Sequence, residues 1–122
     1  IKEDSARMFA LVGVADAKNR SGEKEKAIEF LTEAAHLTET ISQFSVRSTA
    51  LNELAKHFLN YGESAKAREI AHENLVIISQ IRDDSLKSTS LANLAEVYEQ
   101  GNFDLTDAEK EMLYTMIRRA EW

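Results

Sequence analysis

The side chains best suited to metal or acid–base chemistry are His36, His57 and His72. A transition metal needs imidazoles about one helical turn or one short loop apart. No His-x3-His pair is present, and His57 and His72 lie fifteen residues apart. They read as surface or half-buried helix residues, and no metal site is expected. Oxygen ligands gather at Asn102, Asp104, Thr106 and Asp107, but the glycine and twelfth-position glutamate of a calcium loop are missing. A loop and helix cap accounts for them. The chain has no cysteine, hence no thiol nucleophile or disulfide, and no glycine-rich phosphate loop. Its serines stand mostly where helices would begin. No catalytic residue and no cofactor is assigned, and an enzyme is not expected.

A basic series is more informative: Arg7, Arg47 and Lys87 follow one another at intervals of forty residues. Such a series can form a ladder for an acidic partner. It can also place cations beside the C-terminal carbonyls of a preceding helix, which contributes a few tenths to ~1 kcal/mol each. The second placement is the simpler expectation.

The series points to what must position it. Laid over Ser45–Arg82, the segment Ser5–Ser42 has 12 identities in 38 pairs, where ordinary composition gives roughly two or three. Among them are Ala10/Ala50, Leu11/Leu51, Ala15/Ala55, Gly22/Gly62, Glu23/Glu63 and Ala27/Ala67. A further step of forty brings Ser85, Ser88, Leu91, Leu94 and Ala95 onto Ser45, Ser48, Leu51, Leu54 and Ala55. The chain therefore reads as one domain over 1–122, built of three units at about 4–42, 45–82 and 85–120.

Each unit reads as two helices, expected near 4–20 and 23–42, 45–60 and 63–82, and 85–100 and 107–120. Asp4/Ser5, Ser45 and Asp84/Ser85 are cap candidates, and Thr106 with Glu109 forms a possible capping box. Gly22, Gly62 and Gly101 are placed to supply the left-handed residue that closes a helix. The glycine register slips by one residue in the third unit. Glu23 and Glu63 put negative charge at the start of a second helix. An apolar stripe at spacings of three and four runs through Ala27, Phe30, Leu31, Ala34, Leu37 and Ile41, and the second unit's stripe is Ala67, Ile70, Ala71, Ile77, Ile78 and Ile81. The run Leu75–Ile78 would suit a short buried strand in isolation, but the register makes it helix with burial on more than one side. Ala15, Ala55 and Ala95 recur where paired helices must approach closely. The fold class is all-α, an α-α superhelix or solenoid of three antiparallel helix pairs.

Composition narrows the function. Hydrophobic residues make up 43% and charged residues 30%, which suits a globular chain with a packed core. A net charge of −6 argues against nucleic acid or an anionic membrane as partner, since both require clustered positive charge. No apolar run approaches the ~20 residues of a membrane span. With neither an initiator Met nor a signal-peptide pattern, a mature chain or excised domain is expected, and a cytoplasmic location.

The pattern Leu11…Val14-Ala15…Gly22…Ala27…Leu31…Ala34 resembles the tetratricopeptide repeat. The second unit repeats it as Leu51…Leu54-Ala55…Phe58…Gly62…Ala67…Ala71, and the third begins it as Leu91…Leu94-Ala95…Tyr98. The units are longer than the family's usual 34 residues and lack its closing proline; HEAT or armadillo-like stacking would also accommodate the period. The resemblance implies a scaffold that binds a partner protein or peptide along a concave face made by the first helices. Its lining would be Phe9, Val12, Asp16 and Asn19, then Thr49, Asn52, Lys56 and Leu59, then Thr89, Ala92, Asn93, Glu96 and Glu99. Glu96 and Glu99 stand against capture of a carboxylate there. The alternative is self-association, or a regulatory structural domain of a larger repeat protein. A homo-oligomer would use the C-terminal helix, where Met112, Leu113, Met116, Ile117 and Trp122 suggest apolar exposure near Met116 and Trp122. Phe103 and Leu105 could instead fold over that end.

Overall fold

Alanine, leucine, glutamate and lysine dominate a chain without proline, and helix is what they build. The computed structural model describes the backbone of residues 2–119 and the side chains of residues 5–116. It contains six α-helices and, among the described residues, no strand: α1 Lys2–Arg20, α2 Lys24–Leu37, α3 Phe44–Asn60, α4 Ser64–Ser79, α5 Asp84–Gly101 and α6 Asp107–Arg119. Asp4, Ile117 and Trp122 lie outside the described side chains.

Helix ends obey the local rules, with some exchange of residues. Gly22 (φ 89°) and Gly62 (φ 81°) close α1 and α3 in the left-handed region. In both turns the glycine N–H donates three residues back and the next N–H five back: Gly22 to Asn19 and Glu23 to Lys18, Gly62 to Leu59 and Glu63 to Phe58. Asn102 and Phe103 make the same bonds, to Glu99 and Tyr98, forty residues further on. There is thus no slip of register. Asn102 (φ 54°) takes the glycine's place, since asparagine also tolerates this conformation. Gly101 remains helical and serves packing: a Cβ there would stand 2.5 Å from the Phe103 ring. The starts of α3 and α5 match as well, with Arg47 N–H donating to Gln43 and Lys87 N–H to Asp83. Ser45 and Ser85 are inside their helices, and Asp83, not Asp84, is the cap, its carboxylate accepting from Leu86 N–H at 2.9 Å.

The second helices end earlier than expected. α2 gives way at Leu37 to a 3-10 turn, Thr38–Thr40, in which Thr38 and Thr40 hydroxyls donate to the Ala35 and Leu37 carbonyls. Bonds of this kind compete with the regular ladder. α4 includes Leu75–Ile78 as helix, with Leu75, Ile77 and Ile78 buried and Val76 exposed.

Packing follows the small residues. α1 lies along α2 and α3 along α4, and Ala15, Ala27, Ala55 and Ala67 are all fully buried. α3 also meets α1 and α5, so the first helices stand side by side; among the described residues α2 and α4 make no such approach to each other. The third unit differs. α6 runs along α4 while its backbone stays clear of α5 among the described residues, touching α5 through the Tyr98–Glu109 side chains, and Ala95, the counterpart of Ala15 and Ala55, is exposed. The aromatic rings of Tyr98 and Phe103, edge to face at 5.9 Å, occupy the space beside α5. Met116 is buried in the core, contrary to the exposure expected there, because α6 lies against α4; the exposed large side chain of that helix is Tyr114, at 56%. Phe103 and Leu105 pack half-buried onto the core.

Ala55→Leu forces a larger side chain into the filled α3–α4 contact and costs about 1–3 kcal/mol. Ala95→Leu, at the same repeat position but exposed, changes stability by less than ~0.5 kcal/mol. Urea unfolding of the two variants measures the difference, and equal losses would show that α5 is covered in solution.

Candidate functional site

Two places gather candidate side chains: the exposed side of the first-helix layer, and a polar hub where α4, α5 and α6 meet. On α1, Phe9 is exposed at 41%, Asp16 and Asn19 are half-buried, and Val12 is buried. Asp16 pairs with Arg20 at 3.6 Å. On α3, Thr49 is exposed, Lys56 and Leu59 are half-buried, and Asn52 is buried at 5% exposure. On α5, Thr89, Ala92, Glu96 and Glu99 are exposed and Asn93 is half-buried. Val12 and Asn52 therefore belong to the helix contacts rather than to a lining, because an i to i+4 partner on the same face is buried with each: Met8 with Val12, and Ser48 with Asn52. The Thr49 and Thr89 hydroxyls both turn back to the carbonyl four residues earlier, at 3.0 Å. What remains is a mixed face of one aromatic ring, amides and charges of both signs.

The buried amide is the exception. Neither the oxygen nor the nitrogen of Asn52 has a hydrogen-bond partner, nor has the Ser48 hydroxyl one turn away. An unsatisfied buried polar group costs about 1–3 kcal/mol. Arg7 is exposed, Arg47 and Lys87 are half-buried, and the Arg47 Nε is buried without a partner.

The hub centres on Glu109, fully buried in the first turn of α6. The capping box expected from Thr106 and Glu109 is formed: Thr106 N–H donates to Glu109 Oε1 at 2.8 Å, and Glu109 N–H to Thr106 Oγ1 at 3.1 Å. The carboxylate then gathers side chains from two other helices. Tyr98 O–H donates to Oε2 at 2.6 Å, His72 Nδ1 lies 2.8 Å from Oε2, and Arg68 Nη2 is 3.4 Å from Oε1. Arg68 also lies over the Phe103 ring, 5.5 Å from its centroid. Burial alone would raise the Glu109 carboxyl. The Thr106 amide, the Tyr98 and His72 hydrogen bonds and the Arg68 charge outweigh it and hold the group at about 2. Burial, with the Glu109 hydrogen bond and charge, pushes the Tyr98 phenol far above its ordinary range. A carboxylate so saturated cannot take up a proton near neutrality, and such a phenol cannot release one. The hub fastens elements together. Its histidine was visible in the sequence only as an isolated residue, since its partner is 37 positions away.

Beside the hub is an open apolar hollow of about 340 Å³, walled by Leu75, Leu91, Ala95, Phe103, Leu105 and Leu113, with Glu99 and Asn102 also lining it. It exists because α6 does not cover α5. Among the described residues no group of His, Asp and Glu is arranged to hold a metal ion, and no described helix is long and apolar enough to cross a membrane.

No protein family, curated protein or solved structure matches the chain.

Two outcomes follow from these environments. Glu109 titrates at about 2 in the folded chain against an ordinary 4.5, so its contribution is complete above pH ~4.5 and is lost as the pH falls towards 2. Over that interval the parent should lose roughly 3 kcal/mol more than Glu109→Gln, as urea unfolding at stepped pH will measure. At Asn52, replacement by the valine that unit one carries at this position removes an unsatisfied amide. Asn52→Val should raise stability by about 1 kcal/mol in the same assay, and a loss would mean that the amide is satisfied in solution.

Proposed function

We propose that the chain is a tetratricopeptide-like solenoid of three antiparallel helix pairs that binds a partner protein or peptide across its first helices. Connections of three residues, Ser21–Glu23 and Tyr61–Glu63, are too short to let the next helix run in the same direction, since α2 alone is about 21 Å long. The observation that carries the reading is the asymmetry of packing: α1, α3 and α5 are neighbours while α2 and α4 do not meet. A layer of helices in contact, backed by helices held apart, curves with the contacting layer inside. Phe9, Asp16, Asn19, Thr49, Lys56, Leu59, Asn93 and Glu96 then line the concave side. Phe9 and Leu59 supply apolar anchors, and Lys56 and Glu96 supply charges of opposite sign that orient a partner. Self-association is the second reading, favoured by the uncovered faces at the two ends of the layer.

The test compares two surface variants, both at exposed or half-buried positions. Phe9→Ser, Lys56→Glu, Asn93→Ala alters the first helices, and Glu33→Lys, Glu73→Lys alters the second. Captured from the native lysate and quantified by mass spectrometry, a genuine partner should fall at least about tenfold with the first variant, a loss of ~1.4 kcal/mol, and stay with the second. A partner lost only with the second variant would assign binding to the opposite side.

A further inference from the structure

The first helices carry the same two faces at forty-residue intervals, and burial on each face depends on which neighbours are present. One face is Met8, Val12 and Ala15 on α1 and Ser48, Asn52 and Ala55 on α3, all buried. Its counterpart on α5, Ser88, Ala92 and Ala95, is exposed. The opposite face shows the reverse order. Ala50 and Leu54 of α3 and Ser90 and Leu94 of α5 are buried, whereas Ala10 and Val14 of α1 are exposed, Val14 at 42%. α3, with helices on both sides, buries both faces; α1 and α5 each bury one. On α1 the open face continues through Ala6, Gly13 and Ala17, all exposed and none charged.

We infer that a second copy of this chain docks head to tail, with the open face of its α1 laid on the open face of α5. The two ends are the two halves of a contact the chain already makes twice internally, between α1 and α3 and between α3 and α5. Small side chains on both sides, Ser88 and Ala92 against Ala10, Val14 and Ala17, allow the close approach that this contact needs. Lys18 and Arg20, in the last turn of α1, are paired within the chain with Glu23 at 3.4 Å and Asp16 at 3.6 Å, so the contact rests on the repeated packing of the first helices rather than on charge. Ala95 borders the hollow walled by Phe103, Leu105 and Leu113, whereas Ser88 and Ala92 are exposed and do not line it. The contact is heterologous, so repetition gives an open row of copies rather than a closed pair. It does not depend on what the concave side binds.

The absence of cysteine makes the geometry directly testable. Val14→Cys and Ala92→Cys proteins, each at an exposed site, are treated with a short bis-maleimide separately and mixed. The expected result is a cross-linked dimer in the mixture and not in either protein alone, with a ladder of higher species from the double variant. Light scattering of the parent should show molar mass rising with concentration above that of one chain. Ala92→Glu should return it to one chain with unchanged helix content by circular dichroism. Cross-links within one variant alone would mean a symmetric contact, and would overturn the head-to-tail arrangement. A parent that stays at the mass of one chain at every concentration would overturn self-docking, leaving these faces to a partner of different sequence. A parent oligomer indifferent to Ala92→Glu and without mixed cross-links would place the contact elsewhere and overturn the proposal equally.

Discussion

Helix axes can reach the short end of their 8–10 Å packing range only where little more than a methyl group stands between them. In this chain that condition is met at Ala15 and Ala27, and again at Ala55 and Ala67, all of them fully buried. Around each close approach the larger side chains interlock: Leu31, Leu51, Leu54, Phe58 and Ile78 are buried to 1% exposure or less. Neither pair can hide its whole apolar surface alone. α3 and α4 are covered on both sides and form the middle of the core, and the run Leu75, Ile77, Ile78 on α4 is wide enough to serve two neighbours.

The third unit solves the same problem differently. Its second helix arrives after a longer loop, and its first turn carries a buried glutamate bonded to side chains of both α4 and α5. Burying a carboxylate is costly unless it is paired and hydrogen-bonded. Here the cap of α6, a tyrosine of α5 and two side chains of α4 all converge on Glu109. The arrangement ties three helices through directional bonds, and so fixes where α6 lies with a precision that apolar packing does not impose. The same placement leaves Ala95 uncovered beside the hollow.

Features decided by neighbours in sequence were legible before the structure was. Helix type, the left-handed glycines, the Thr106–Glu109 box and the helical state of Leu75–Ile78 all depend on residues within a turn or two of one another. Some local readings also failed: Ser45 and Ser85, expected as caps, lie inside their helices, and α2 ends at Leu37, where threonine hydroxyls bond back to the backbone. The other misreadings were of features decided at a distance. Asn102 replaced Gly101 in the third turn because Phe103 needs the space above Gly101, a contact that no local rule anticipates. Met116 was expected at the surface, and it is buried by α4, some forty residues earlier in the chain. Of the lining inferred for a partner, Val12 and Asn52 fell into helix contacts, since a face that is exposed in an isolated unit is covered when the next unit stacks on it.

That last distinction bears on what kind of molecule this is. In a repeat protein the surface used for stacking and the surface used for binding are made of adjacent positions on the same helices. Val12 and Phe9 are three residues apart on α1, one buried and the other exposed. Ala92 and Asn93 are neighbours on α5, one on the open end and the other on the mixed face. Adding a further unit at the end would therefore lengthen the mixed face without altering its existing members. A row of copies would present the same amides, charges and aromatic ring at a constant step, and a partner with several matching sites would hold it by effective concentration more tightly than any single site permits. On the proposed reading, self-stacking and partner binding would thus use different surfaces, and the first would set how many times the second is repeated.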